Sequence, residues 1–330
     1  MGNITMRELA TALGVSTATI SMVLNGKPGI SDETREKVFA AVVASGYDTE
    51  KLGSSPRKKK GGITLVIYKK HGRVVGDTPF FATLTESIER QANAEGYLLN
   101  IRYVSDKPDM AGLGGDGVLL LGTELENEDV AGFKRNGRPL VVLDNDLSLL
   151  PVNTISIDNA GGINMAAKHL ISKGHRDIGY LKSAASIQNF SERYSAYLGA
   201  LSENVLRAGD VIPLESSMDG AYRDMSQWLE RDKIKSTAFL ADNDFIALGA
   251  IRALREKGHR LGDDISVVGF DDLPFTRINE PPLTTIRVYN DELGAAAVDR
   301  IVELIRKPDQ PFRHMRIGTE LKERGSVREL

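Results

Sequence analysis

From residue 62 onward, short apolar runs alternate with stretches of helical length, and this alternation narrows the fold more than any other feature. The runs are "ITLVIY" (63–68), "YLLNIRY" (97–103), "GVLLL" (117–121), "PLVVL" (139–143), "TISID" (154–158), "DIGYL" (177–181), "TAFLA" (237–241) and "ISVVGF" (265–270). Helical patterns such as Leu84–Glu95, Asn159–Lys173, Asn243–Lys257 and Asp291–Arg306 lie between them. Strands that are apolar along their whole length are covered on both faces, and helices between successive strands make them parallel. The spacing therefore predicts doubly wound α/β structure, and eight strands over this length fit two lobes better than one.

The first 47 residues follow a different pattern. Met6, Leu9, Ala10 and Leu13 share one helical face, and Gly14 stops that helix. Ser16 is placed to cap a second helix, Thr17 to Leu24, with Ile20, Val23 and Leu24 turned inward. Ser31 is placed to cap a third, with Asp32 and Glu33 in its first turn and Val38, Ala41 and Val42 inward, until Gly46 ends it. Three short helices with a Gly-containing turn between the first two form a helix-turn-helix arrangement. The outer face of the second helix is small and hydroxyl-rich (Ser16, Thr17, Ser21), which suits a major groove.

Charge separates the same regions. The whole chain is at −3, which taken alone opposes nucleic-acid binding. Residues 1–60, however, carry nine Lys/Arg against six Asp/Glu, and five of the nine fall within 51–60, where there is no acid. "GSSPRKKKGG" (53–62) reads as a basic linker. The acidic surplus belongs to the remainder. Cysteine is absent, which removes disulfides, thiolate metal sites and cysteine nucleophiles. "MGNITMRELATALG" lacks the apolar run of about 7–15 residues that a signal peptide needs. No stretch approaches the roughly 18 apolar residues of a membrane span, so a cytoplasmic protein without membrane contact is expected.

Residues 4–47, above all "GVSTATISMVLNG" and the later "SDETREKV", closely resemble the DNA-binding headpiece of the lac/galactose repressor family. "HLISKGHRDIGYL", "STAFLADNDFIALGAIRALREKGHRLGDDISVVGFDD" and "PPLTTIR" resemble that family's effector core, which has a type I periplasmic-binding-protein fold of two lobes joined by three crossovers. The resemblance implies a headpiece over 1–47 and a linker over 48–61. It implies one lobe from 62–158 plus about 288–313, and the other from 159–287 plus about 314–330. It further implies a transcriptional regulator, a repressor rather than an enzyme, that binds a pseudopalindromic operator as a homodimer, uses no cofactor or metal, and answers to a small effector.

On the headpiece, the resemblance assigns base contacts to Thr17, Ala18 and Met22, and backbone contacts to Ser16, Thr19, Ser21 and Asn25. Lys58, Lys59 and Lys60 add phosphate attraction. Neither Ala18 nor Met22 can form a bidentate hydrogen bond, so apolar contact such as that with thymine methyls is expected, beside a hydrogen bond from Thr17. Many relatives carry an arginine or another polar residue at the position of Met22. Their linker helix inserts a leucine into the minor groove, and that position falls on Pro56 here. Only ten residues, Asp106–Gly115, stand where relatives usually place a helix.

Open parallel sheets bind ligands at the carboxyl ends of their strands. That principle nominates Asp144, Asp242-Asn243-Asp244 and Asp271-Asp272. The resemblance selects Arg193, Asp271 and Asn243, with Asp144, Phe80 and Phe81 from the first lobe, as effector contacts. Asp, Asn and Arg offer paired hydrogen bonds to hydroxyls, and an aromatic suits the face of a sugar ring. A sugar effector is favoured, with a nucleobase or sugar-phosphate corepressor as the alternative and a solute-binding protein as a more distant one. Asp244 is expected to cap its helix, and Asn243 could do the same.

"GLGGDG" (112–117) satisfies a dinucleotide fingerprint literally, but an apolar strand follows it where a helix should, so it reads as a loop. The five histidines show no metal-ligand spacing. His175 and His259 follow helix-ending glycines, where a cation suits the helix dipole.

Overall fold

The computed structural model describes residues 6–24, 29–45, 60–72, 78–105, 113–134 and 137–330. The chain divides into two compact units, Met1–Lys60 and Gly61–Leu330.

The first unit holds α1 (Met6–Leu13), α2 (Thr17–Leu24) and α3 (Asp32–Ser45). Leu9, Ala10, Ile20, Val23, Val38 and Val42 are its buried core, drawn from all three helices. Both expected caps are present: Ser16 Oγ accepts from the Thr19 amide at 3.0 Å, and Ser31 Oγ from the Thr34 amide at 3.4 Å. Each satisfies an amide that a helix start leaves without a partner. Gly14 turns the chain between α1 and α2 at φ 66°.

The second unit contains two six-stranded sheets. One comprises β1 (Gly61–Lys69), β2 (Tyr97–Ser105), β3 (Gly117–Leu121), β4 (Leu140–Leu143), β5 (Asn153–Ile157) and β11 (His314–Ile317), in the order β11-β5-β4-β3-β1-β2 and parallel throughout. The other comprises β6 (Ile178–Ser183), β7 (Val211–Leu214), β8 (Ala238–Ala241), β9 (Ser266–Asp271), β10 (Thr284–Val288) and β12 (Thr319–Lys322), in the order β12-β10-β9-β8-β6-β7. Only β12 runs antiparallel to its neighbour. Strands β3, β4 and β5 are buried along their whole length, as their unbroken apolar runs require.

The chain passes between the lobes three times. It crosses from β5 into α6 (Asn159–Ser172), from β10 into α11 (Asn290–Arg306), and from β11 into β12. The last crossing falls at Gly318 rather than at about 313, because β11 pairs with β5 of the first sheet through His314–Ile317. Strands β7, β10, β11 and β12 have no counterpart among the eight apolar runs. They are only four or five residues long, and β11 and β12 have no fully buried residue, so their pattern is weak.

The expected departure after β2 lies partly outside the described residues, which resume at Leu113. Leu113 packs with Val66, Val118 and Leu120. The described part of the "GLGGDG" segment, residues 113–117, is an entry to β3 held against β1. Thr64 Oγ1 donates to the Gly114 carbonyl at 2.7 Å, and the Gly62 amide donates to Asp116 Oδ2 at 3.0 Å. Gly115 has φ +92°, and a Cβ there would lie 2.7 Å from the Gly62 carbonyl oxygen. Gly115 thus brings two backbones together. Gly115→Ala should therefore cost about 2 kcal/mol or more and lower the melting temperature of the core by several degrees in calorimetry. An unchanged melting temperature would contradict that close approach.

Candidate functional site

In the headpiece, Ser16, Thr17 and Ala18 are exposed, and Thr19 and Met22 are half-buried. Ala18 and Met22 are four residues apart, hence on one helix face, away from the buried Ile20 and Val23. Ser16 and Thr19 share a hydroxyl–hydroxyl hydrogen bond of 2.8 Å at the start of α2, where helix amides also favour an anion. Lys60 is exposed. The Ser21 side chain, Asn25, Lys58, Lys59 and Pro56 lie outside the described residues.

In the core, all six residues nominated as effector contacts line one cavity of about 330 Å³ between the lobes. Phe80 and Phe81 begin α4 (Pro79–Glu95), with ring centroids 5.1 Å apart in an edge-to-face contact. Both are 9% exposed, so each is part of the core and part of the wall. Asp144 follows β4, with φ 58°. The second lobe supplies Arg193 from α7 (Gln188–Glu203), Asn243 after β8 and Asp271 at the end of β9. Both aspartates have left-handed φ, 58° and 118°, which aims their carboxylates from strand ends into the cleft.

Arg193 is 3% exposed, and the protein occupies most of its guanidinium. Nε donates to Asn159 Oδ1 at 2.8 Å and Nη1 donates to the Asp242 carbonyl. Its plane lies 3.7 Å from the centroid of the Phe270 ring. Asp271 Oδ1 is 3.8 Å from Nη1, an ion pair at the edge of hydrogen-bond range. Among the described residues the Asp271 carboxylate accepts no hydrogen bond, so it keeps lone pairs for a ligand. Asp144 is the opposite case. Oδ2 accepts from Thr123 Oγ1 at 2.5 Å, and Oδ1 accepts from Asn189 Nδ2 at 2.9 Å.

Asp244 does not cap its helix. Asn243 does: its Oδ1 accepts from the Ile246 amide at 2.9 Å, ahead of α9 (Asp244–Glu256). Asp244 turns inward and accepts from Thr285 Oγ1 at 2.6 Å and the Leu273 amide at 2.8 Å, which fixes the turn after Asp271. His175 also differs from expectation. It is fully buried, and burial holds its pKa down at about 4, so it is a neutral ring bonded through Nδ1 to Thr237 Oγ1 at 2.9 Å rather than a cation at a helix end. Sequence reasoning missed Asn189, Thr123 and Phe245 in the cavity wall. Asn189 lies one helical turn before Arg193, and that spacing could have exposed it.

Burial raises the pKa of Asp144 and Asp242 to about 6. The Thr123 hydrogen bond opposes the rise at Asp144, and the Tyr180 hydrogen bond opposes it at Asp242. Burial also raises Asp271, where the Arg193 charge opposes it and Asp144 adds to it. The folded protein therefore holds protons that the unfolded chain, at an ordinary 3.8, has released. Unfolding free energy from these groups falls as pH rises from about 4 to about 7, the upper end being set by Asp271. Asp271→Asn removes a buried charge without changing shape. It should stabilise the protein at pH 8 by about 1–3 kcal/mol and flatten that fall, as read by chemical denaturation across pH. Destabilisation at pH 8 would contradict the electrostatics described.

A hydroxyl-tipped helix-turn-helix and a two-lobed core with a cavity between its lobes together define a ligand-responsive DNA-binding transcriptional regulator. Residues 5–50 match the bacterial regulatory proteins of the lacI family, and residues 167–327 match the periplasmic binding protein-like domain. The HTH-type transcriptional repressor PurR of Mannheimia succiniciproducens is 32% identical over 99% of both chains. The lac repressor dimer bound to operator and an anti-inducer has a similar structure, with TM-score 0.72 and 25% identity, covering 99% of this chain and 100% of that one. A CelR–cellobiose complex is similar to the same degree, with TM-score 0.72 and 25% identity over 98% of this chain and all of that one. The chain belongs to the lacI family, whose members are transcriptional regulators and not enzymes. Among the described residues no helix is long and apolar enough to cross a membrane.

Proposed function

We propose that this protein is a cytoplasmic repressor that binds a pseudopalindromic operator as a homodimer, with its DNA affinity set by a sugar held between the core lobes. The observation that carries the reading is the convergence of Asp144, Asp271, Asn243 and Arg193 from both lobes on one cavity walled by Phe80 and Phe81. Directional acceptors and donors beside aromatic faces suit ring hydroxyls and the apolar face of a sugar. A ligand touching both lobes stabilises their closed arrangement, and so biases the spacing of two headpieces in a dimer. Carboxylates outnumber cations among the described lining residues, which opposes an anionic effector such as a sugar phosphate. Sugars bound by related proteins support the same class, cellobiose with CelR and ribose with an Enterococcus faecalis regulator.

A nucleobase is the second reading, favoured by the 32% identity to a repressor named PurR. Thermal-shift screening of monosaccharides, disaccharides and nucleobases separates the two. A sugar should raise the melting temperature of the wild type and fail to raise that of Arg193→Ala. A response to nucleobases alone would replace the sugar reading.

On DNA, Thr17, Ala18 and Met22 read bases, while Ser16, Thr19, Ser21 and Asn25 hold the backbone. Lys58, Lys59 and Lys60 add phosphate contacts. Replacing the three lysines with glutamine should reduce the slope of log affinity against log salt by about 0.9 for each phosphate no longer neutralised, leaving base preference unchanged. Met22→Arg should change the selected base opposite position 22, by about 1–3 kcal/mol in favour of guanine. Unaltered operator selection in Met22→Arg would remove that residue from the reading face.

A further inference from the structure

Apart from the three crossovers, the described residues join the two lobes by one side-chain hydrogen-bonded junction. Nδ2 of Asn189, on α7 of the second lobe, donates to the carbonyl oxygen of Asp144 at 3.1 Å and to its Oδ1 at 2.9 Å. Asn189 is itself held. Its Oδ1 accepts from Asn159 Nδ2 at 3.0 Å, and that amide also donates to Glu192 Oε2 at 2.9 Å. Asn159 Oδ1 in turn accepts from Arg193 Nε at 2.8 Å. Asn159 and Asn189 are 1% and 4% exposed. Asn159 opens α6, one residue past Asp158 in the first crossover.

The chemistry gives this chain a direction. A guanidinium has donors and no acceptor, so Asn159 must turn its oxygen to Arg193. Its amide nitrogen is then left for Asn189, whose oxygen faces it. The Asn189 nitrogen is left for Asp144, an acceptor. Each carboxamide accepts on one side and donates on the other, and reversing either would set donor against donor or acceptor against acceptor. We infer that Asn159 and Asn189 are positioning residues that tie Arg193 to Asp144 and latch the lobes in the arrangement that forms the effector cavity. The latch rests on the effector reading only for its biological use, because closure is measured without a ligand.

The test uses the full chain, which has no native cysteine. Spin labels are placed at Leu149→Cys in the first lobe and Arg223→Cys on α8 (Met218–Arg231) in the second, both exposed in the native structure. Labelled chains are diluted with unlabelled ones, so that distances are read within one subunit by pulsed electron resonance. Asn189→Asp sets a carboxylate against Asp144, and Asn189→Ala removes the donor. Both should lengthen and broaden the interlobe distance relative to the latched protein, with far-ultraviolet circular dichroism unchanged. The double variant Asp144→Asn with Asn189→Asp exchanges donor and acceptor, keeps an acceptor for Asn159, and should restore the shorter, narrower distribution. A merely structural role for Asn189 would not be rescued by that exchange. Unchanged distances in both single variants, or opening that the exchange does not reverse, would overturn the inference. Since the labels need no effector, a failed latch is distinguishable from a wrong effector class.

Discussion

The core is organised around a buried guanidinium. A cation such as Arg193 remains in an interior only if its donors are taken and its charge is balanced. Asn159, the Asp242 carbonyl and the face of Phe270 take up the donors and the plane, while Asp271 lies beside it. These groups come from a crossover helix, the end of β8 and the end of β9, so one side chain gathers three elements. It is held so fully that it cannot follow a ligand about. Asp144 stands in the opposite wall of the same cavity, on the other lobe.

The carboxylates follow from the same constraint. Asp144, Asp242 and Asp271 are gathered about a single arginine, Asp244 lies beside Asp271, and burial raises the pKa of every one. Such a cavity is costly to leave empty at neutral pH. Under the proposed function, a ligand that brings hydroxyl donors would satisfy the free Asp271 acceptors, and an unsatisfied buried acceptor costs more than a satisfied one returns. On that reading, function and stability pull Asp271 in opposite directions, as is common at binding sites.

Much of this was legible in the residues. The eight apolar runs all became strands: burial along most of the length marks seven of them, while β2, at the sheet edge, is apolar yet largely exposed. Strand-end aspartates followed from the general rule for open parallel sheets, and the six nominated side chains share one cavity. What was hidden depended on partners distant in sequence. Asp244 looks like a helix cap, and only the position of Thr285 and the Leu273 amide shows that it fixes a neighbouring turn instead. His175 looks like a helix-end cation until its burial is known. Asn189 and Asn159 are ordinary polar residues in sequence, and their joint role needs the two lobes face to face. Likewise the −3 of the whole chain conceals a basic stretch of five cations in 51–60 and an uncharged second helix. The proposed function would thereby place specificity and salt-dependent affinity in different segments.

The proposed regulation turns on a link between occupancy of the cavity and binding of DNA. Linkage is reciprocal: a sugar that changes operator affinity by some factor must see its own affinity changed by the same factor when operator is bound. Fluorescence anisotropy of labelled operator across sugar concentrations, paired with calorimetric titration of the sugar into free and operator-bound protein, measures both factors. Two equal factors that differ from one are expected. A sugar that binds the core while leaving operator affinity unchanged would contradict the link.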